Sequence, residues 1–171
     1  MNFLSKNIEE TFKIATDFSK QLNRRAPSAT ARATVVGLYG ELGSGKTTFI
    51  KYLAKSFGIE ETIQSPTYVI MKRHEIRDTS NEVRKKLNPP NIVTRNSCFV
   101  FFFHIDAYRI EKEEEMLNLG WLKIISDPKN LICIEWPENI SGIMPEHTMI
   151  KFEHVKDLEK ASETERKISI A

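Results

Sequence analysis

Cysteine is nearly absent: Cys98 and Cys133 are the only two in 171 residues. Neither has a CxxC partner or a Cys/His cluster at zinc-ligand spacing, which argues against a structural zinc site and thioredoxin-like chemistry. Each sits in an apolar run (CFVFFF and LICIEW), so both read as buried core thiols, and a reducing compartment disfavours pairing them. Charge of one sign is lacking too. Twenty-five Lys and Arg against 23 Asp and Glu leave a formal +2, too little to mark a nucleic-acid coat or a membrane-surface protein. No apolar run approaches the roughly 18 residues that cross a bilayer; the longest lies around Cys98 to Phe103. The opening MNFLSKNIEE has neither the basic flank nor the apolar stretch of a signal peptide, so a cytoplasmic protein with no membrane partner is expected. With only 7 Gly and 7 Pro, a collagenous or low-complexity chain is excluded.

What remains is a globular composition, 40% hydrophobic and 28% charged, at a length that suits one domain. A chain of this size buries roughly 70% of its unfolded surface, enough for a core without staples. One domain over residues 1–171 is expected, with a charged insertion at about 75–96 and a C-terminal tail at about 156–171.

Periodicity assigns the elements. Ile8, Phe12, Ala15, Phe18 and Leu22 recur at helical spacing within Ser5 to Arg25, and Asn7 and Glu10 have the spacing of a capping box. TVVGLY (34–39) is a short, almost wholly apolar strand of the kind that is covered on both faces. Phe49, Ile50, Leu53, Ala54 and Phe57 form the next helical stripe, over Lys46 to Phe57, with Gly58 placed to cap it. Further strands are expected at 66–74, 98–105 and 131–136, with a helical segment broken near Gly120 between the last two. Alternation at 148–155 and 167–170 predicts half-exposed strands.

Between the first apolar strand and its helix lies Gly40-Glu41-Leu42-Gly43-Ser44-Gly45-Lys46-Thr47, a complete G-x-x-x-x-G-K-[ST] motif. The glycines let successive backbone N–H groups face a phosphate, and the helix behind them adds its dipole. Lys46 offers a mobile ammonium to the β- and γ-phosphates, and the Thr47 hydroxyl is placed to ligate Mg²⁺. Such a site also needs a carboxylate at the end of an apolar strand. Two are available, Asp106 after CFVFFFHI and Glu135 after LICI, and spacing does not choose which holds Mg²⁺ and which orients water or acts as a base. The N/T-K-x-D and D-x-x-G sequences of a guanine-specific switch are missing, which favours adenine. Arg73, Arg77, Arg84 and Arg95 are the candidates for the lid of a small-molecule kinase, although a solvated charged loop explains them as well. The fold expected is a three-layer α/β P-loop domain with a mostly parallel central sheet, plus antiparallel strands from the later alternating segments.

GELGSGKTTF (40–49), SPTY (65–68), HIDAYR (104–109), Leu119-Gly120 and IEWPE (134–138) together resemble the TsaE family, P-loop ATPases of bacterial tRNA threonylcarbamoyladenosine (t6A) synthesis. The resemblance runs from about Gly37 to Glu146, with the motifs in the family's order. It implies that residues 40–48, Thr48 included, and Trp136 contact ATP or ADP, and that Glu135 fills the Walker B role. It also implies that Thr67 lies in a switch-like segment near the γ-phosphate and metal. Asp106 becomes the candidate catalytic acid, with Lys46 and Glu135 as the other catalytic groups; Thr47, Thr67, Asp106 and Glu135 are the candidate metal set. His104, directly after a run of phenylalanines, reads as a satisfied core histidine rather than a general base. By resemblance the protein hydrolyses ATP in support of modification at position 37 of tRNAs reading ANN codons. It would act on a complex of TsaD and TsaB, slowly when alone, and direct tRNA contact is left open. An ATP-dependent binding switch without essential hydrolysis and a small-molecule kinase are the alternatives.

Overall fold

The computed structural model describes residues 1–24, 32–59, 70–76, 97–155 and 165–171. Thr67 and the rest of SPTY, residues 77–96 of the charged insertion and residues 156–164 of the tail lie outside the described residues.

In chain order the elements are β1 (Asn2–Ser5), α1 (Ile8–Arg24), β2 (Thr34–Tyr39), α2 (Lys46–Ser56), β3 (Met71–Glu75) and β4 (Phe101–Asp106). They continue with α3 (Glu113–Asn118), α4 (Trp121–Ser126), β5 (Asn130–Glu135), β6 (Thr148–His154) and β7 (Arg166–Ile170). Short 3-10 segments, Ala107–Arg109 and Pro137–Ile143, follow β4 and β5. The strands form one sheet in the order β1-β7-β6-β2-β5-β4-β3. The four central strands β6, β2, β5 and β4 run parallel, while β3 at one edge and β7 and β1 at the other are antiparallel to their neighbours.

The central sheet is covered on both faces, which is why its strands read as near-continuous apolar runs. Val36, Leu38, Phe102, Leu131 and Cys133 face a core filled by Ala15, Phe18 and Leu22 of α1 and Phe49, Ile50 and Leu53 of α2. Val35, Phe103, Ile105, Ile132 and Ile134, the alternate residues, face Met116, Trp121, Ile125 and Ile140. The three-layer expectation holds, and the period-2 alternation of strand side chains sorts each residue to its layer.

Local signals set the helix ends. Asn7 Oδ1 accepts the Glu10 N–H at 2.9 Å, starting α1, but the Glu10 carboxylate reaches back to the Lys6 N–H, one residue beyond the usual capping-box partner. Gly58, at φ +76, ends α2: its N–H donates to Lys55 O, and the Ile59 N–H donates to Ala54 O. This 5→2 and 6→1 pair is a Schellman cap.

Three expectations change. The first helix begins at Ile8, and the residues before it form β1, which pairs with β7; four residues are too few to show a period. Of the two late alternating strands only β7 is antiparallel to all its partners, since β6 joins β2 in parallel. Alternation reports one wet face, not strand direction. Cys98 is half-buried rather than a core thiol, while Cys133 is fully enclosed.

Candidate functional site

The loop between β2 and α2 curls around the N-terminus of α2. Gly40, Gly43 and Gly45 all have positive φ, +141°, +76° and +104°. At Gly40 the demand is also steric, because a Cβ there would lie 2.5 Å from Phe152 O and 2.9 Å from Ser44 Oγ. Gly43 and Gly45 have open space where a Cβ would go, so their requirement is conformational alone.

Lys46 turns back over this loop. Its Nζ donates to Gly40 O at 2.6 Å and Glu41 O at 2.9 Å, and lies 3.8 Å from the centre of the Trp136 ring. Burial holds its ammonium below the usual lysine range, against the opposing pull of Glu135, Glu138 and Asp106. A cation lodged against carbonyls and an aromatic face is partly desolvated.

Parallel pairing brings the two acids side by side. In the β4–β5 register Asp106 lies opposite Glu135, and both are buried. The Thr47 hydroxyl donates to the Glu135 carboxylate, 2.8 Å from each oxygen, and His104 Nε2 lies 2.8 Å from Oε1. Asp106 Oδ1 accepts the Tyr108 N–H, capping the 3-10 segment, while the Asp106 N–H donates to Ile70 O. Asn139 Nδ2 donates to Ala107 O at 2.9 Å and so ties the turn after Glu135 to the turn after Asp106. Among the described residues, Ile70 (φ +62) and Trp136 (φ +58) are the only non-glycine residues at positive φ, and both adjoin the acids. Backbone strain of this kind gathers at sites the surrounding structure over-determines.

Loop and acids enclose a cleft of about 380 Å³ lined by residues 42–48, Asp106, Tyr108, Glu135 and Trp136. A second recess shares Gly43, Ser44, Gly45 and Thr48 with it and is walled by Asn7, Ile8, Thr11, Phe152 and Arg166. The α1 start and Arg166 were not found by motif reading, because only the β1–β7 pairing brings them to the loop. The oxygens of Thr47, Glu135 and Asp106 are hard donors on one side of the first cleft, a set that suits Mg²⁺ with phosphate oxygens completing its shell. No cluster of three or more His, Cys, Asp or Glu that could hold a metal alone exists among the described residues.

Of the residues singled out in the sequence, those from Leu42 to Thr48, Asp106, Glu135 and Trp136 line this cleft, while Gly40 and Glu41 stand behind it as acceptors for Lys46. Trp136 is not the last residue of the strand but the first beyond it. Arg73 lies on β3, its guanidinium 4.9 Å from the centre of the Phe101 ring, and the other lid arginines fall outside the described residues. No helix among the described residues is long and apolar enough to cross a membrane.

Residues 5–168 match the family model described as threonylcarbamoyl adenosine biosynthesis protein TsaE. Curated proteins named tRNA threonylcarbamoyladenosine biosynthesis protein TsaE include one from Borreliella burgdorferi, 34% identical over 63% of this chain and 63% of its own length. Another, from Treponema pallidum, is 26% identical over 87% of each. The match to a third, from Rickettsia felis, is 31% identical over 81% of this chain and 63% of the relative. The chain thus spans less than two thirds of the Borreliella and Rickettsia proteins. The crystal structure of Bacillus subtilis YdiB shares the fold, with a TM-score of 0.63 over 99% of this chain and 83% of that one at 23% identity.

Proposed function

The chain belongs to the TsaE family of t6A biosynthesis, and on that premise we propose that it binds ATP with Mg²⁺ and hydrolyses it to ADP and phosphate in support of t6A formation at position 37 of tRNAs reading ANN codons. The observation that carries the reading is the enclosure of the loop, Lys46 and Thr47 in one cleft with two buried carboxylates. The loop N–H groups and Lys46 bind the phosphates. Thr47 and Glu135, together with Asp106, would hold Mg²⁺, which would supply positive charge against the phosphate oxygens; Thr67, the remaining candidate ligand, lies outside the described residues. Asp106 orients the attacking water, and Trp136 packs beside the nucleotide. In the second recess, the apolar wall of Ile8 and Phe152 and the polar groups of Asn7 and Thr11 suit the adenine.

The described residues that line the cleft include no arginine. Among these described residues, then, none supplies the arginine charge that often stabilises the transferring phosphoryl, which supports slow turnover alone and stimulation by partners, TsaD and TsaB. The near-neutral net charge supports proteins rather than tRNA as the direct partners, and a cytoplasmic setting follows from the substrate.

Asp106→Ala tests the reading. The variant is expected to bind ATP and to co-purify with a TsaD–TsaB pair like the wild type, while losing hydrolysis and multiple-turnover tRNA modification. Full modification by this variant would convert the reading to an ATP-dependent switch. Phosphate transfer to an added acceptor, in place of free phosphate, would convert it to a kinase.

A further inference from the structure

His104 belongs to none of the roles above. It lies in the middle of β4 with no exposed surface, between Phe103 and Ile105, and it lines no part of the cleft. An aliphatic side chain would fill that place at lower cost, because a buried imidazole needs partners for both nitrogens. Only one is satisfied. Nε2 lies 2.8 Å from Glu135 Oε1, and Nδ1 has no hydrogen-bond partner among the described residues. The contact is read with Nε2–H donating and the Glu135 oxygen accepting.

The register explains the contact. His104 pairs with Cys133 and Asp106 with Glu135, and residues two apart on a strand share a face. His104, Asp106 and Glu135 therefore stand on the face that α2 covers, and α2 places Thr47 against the same carboxylate. The two donors to Glu135 differ. The Thr47 hydroxyl lines the cleft and is shared with any cation bound there, whereas His104 is committed to the carboxylate alone.

We propose that His104 is a positioning residue: its Nε2–H fixes Oε1 of Glu135 from within the sheet, so that the carboxylate meets Thr47, 2.8 Å from both its oxygens, and a nucleotide-bound divalent cation in one orientation. The inference rests on the cation-binding reading of Glu135 given above. Groups that orient a metal-binding carboxylate set its affinity without touching the metal, typically by about 10–100-fold.

The test is calorimetric binding of ADP at increasing Mg²⁺, with a melting curve for each protein. His104→Leu removes the donor and keeps the volume apolar. His104→Asn keeps a polar group that stops short of Glu135, and His104→Gln carries an amide N–H to about the place of Nε2. In the Leu and Asn variants the Mg²⁺ midpoint should rise about 10–100-fold. Affinity for ADP without Mg²⁺ should stay within about threefold, and Gln should restore most of the midpoint. Midpoints equal to wild type in folded Leu or Asn variants overturn the proposal. So does an equal loss of Mg²⁺-free and Mg²⁺-dependent binding, which marks a merely structural role. If the Leu variant does not fold, the Asn–Gln pair decides: equal midpoints overturn the proposal, and a higher Asn midpoint supports it. Wild-type ADP binding that is indifferent to Mg²⁺ would instead remove the cation reading of Glu135, and this proposal with it.

Discussion

One wall of the cleft comes from consecutive residues, 42–48, and the other from Asp106 and Glu135, on strands that the chain visits with two helices between them. The first wall is shaped by backbone conformation, the positive-φ glycines Gly43 and Gly45 with Gly40 behind them, and a helix start. The second is shaped by parallel register and by the hydrogen bonds of Thr47, His104 and Asn139. The contrast suggests a division of labour. The contiguous wall presents backbone groups that its own sequence fixes, and the assembled wall holds two carboxylates in positions that only the packed sheet can define.

The comparison is sharpest in what each wall does when a charge is removed. Glu135→Gln should lower ATP hydrolysis about 10²–10³-fold, the scale of losing one preorganised electrostatic group, while nucleotide binding without Mg²⁺ stays close to wild type. Lys46→Ala should weaken nucleotide binding itself about 100-fold, with or without Mg²⁺, as expected when a charge-assisted phosphate contact is lost. Calorimetry beside phosphate-release measurements separates the two. Equal effects of both variants on Mg²⁺-free binding would show that the walls are not distinct.

Within the contiguous wall, the glycines make a finer break. Gly40→Ala forces a Cβ onto Phe152 O and should cost about 2–3 kcal/mol in denaturant unfolding, because β6 backbone cannot step aside cheaply. Gly43→Ala meets nothing and should cost only about 1 kcal/mol, the strain of a left-handed alanine. Similar losses at the two would mean the loop is held less tightly against β6 than the close approach implies.

The smallest effect concerns pH. Lys46 titrates below its ordinary value of 10.5 in the folded protein because burial disfavours the ammonium. Between the folded and unfolded values the unfolded chain binds more protons, so stability rises with pH across that window. The stability of wild type relative to Lys46→Met should therefore improve as pH climbs through the range just below 10.5, as read from melting temperatures. A flat difference would mean that the Trp136 and carbonyl contacts offset the desolvation.

Much of this was legible in the chain. G-x-x-x-x-G-K-T between an apolar strand and an amphipathic helix is a local pattern, and local patterns survive translation into structure because they depend on neighbours a few residues away. β5 was equally plain as an apolar run ending at an acid. β1 was not, since four residues gain their strand identity from β7, more than 160 positions later. His104 looked like a satisfied core residue and is half-satisfied instead: its one partner lies on another strand, two positions past its register mate. Glu135 was legible as a strand-end acid, but not as a buried one: its burial comes from α2 closing over the strand end.

The sequence by itself determined the glycine-rich loop between strand and helix, the cap that ends α2, the apolar central strands and the family. These rest on backbone conformational preference and side-chain periodicity, which short segments carry alone. Tertiary structure decided which acid meets Thr47, that Asp106 and Glu135 stand abreast, that Lys46 lies against Trp136, and that β6 runs parallel to β2. Each depends on the register of strands joined through distant parts of the chain, and register is set by the packing of both sheet faces at once.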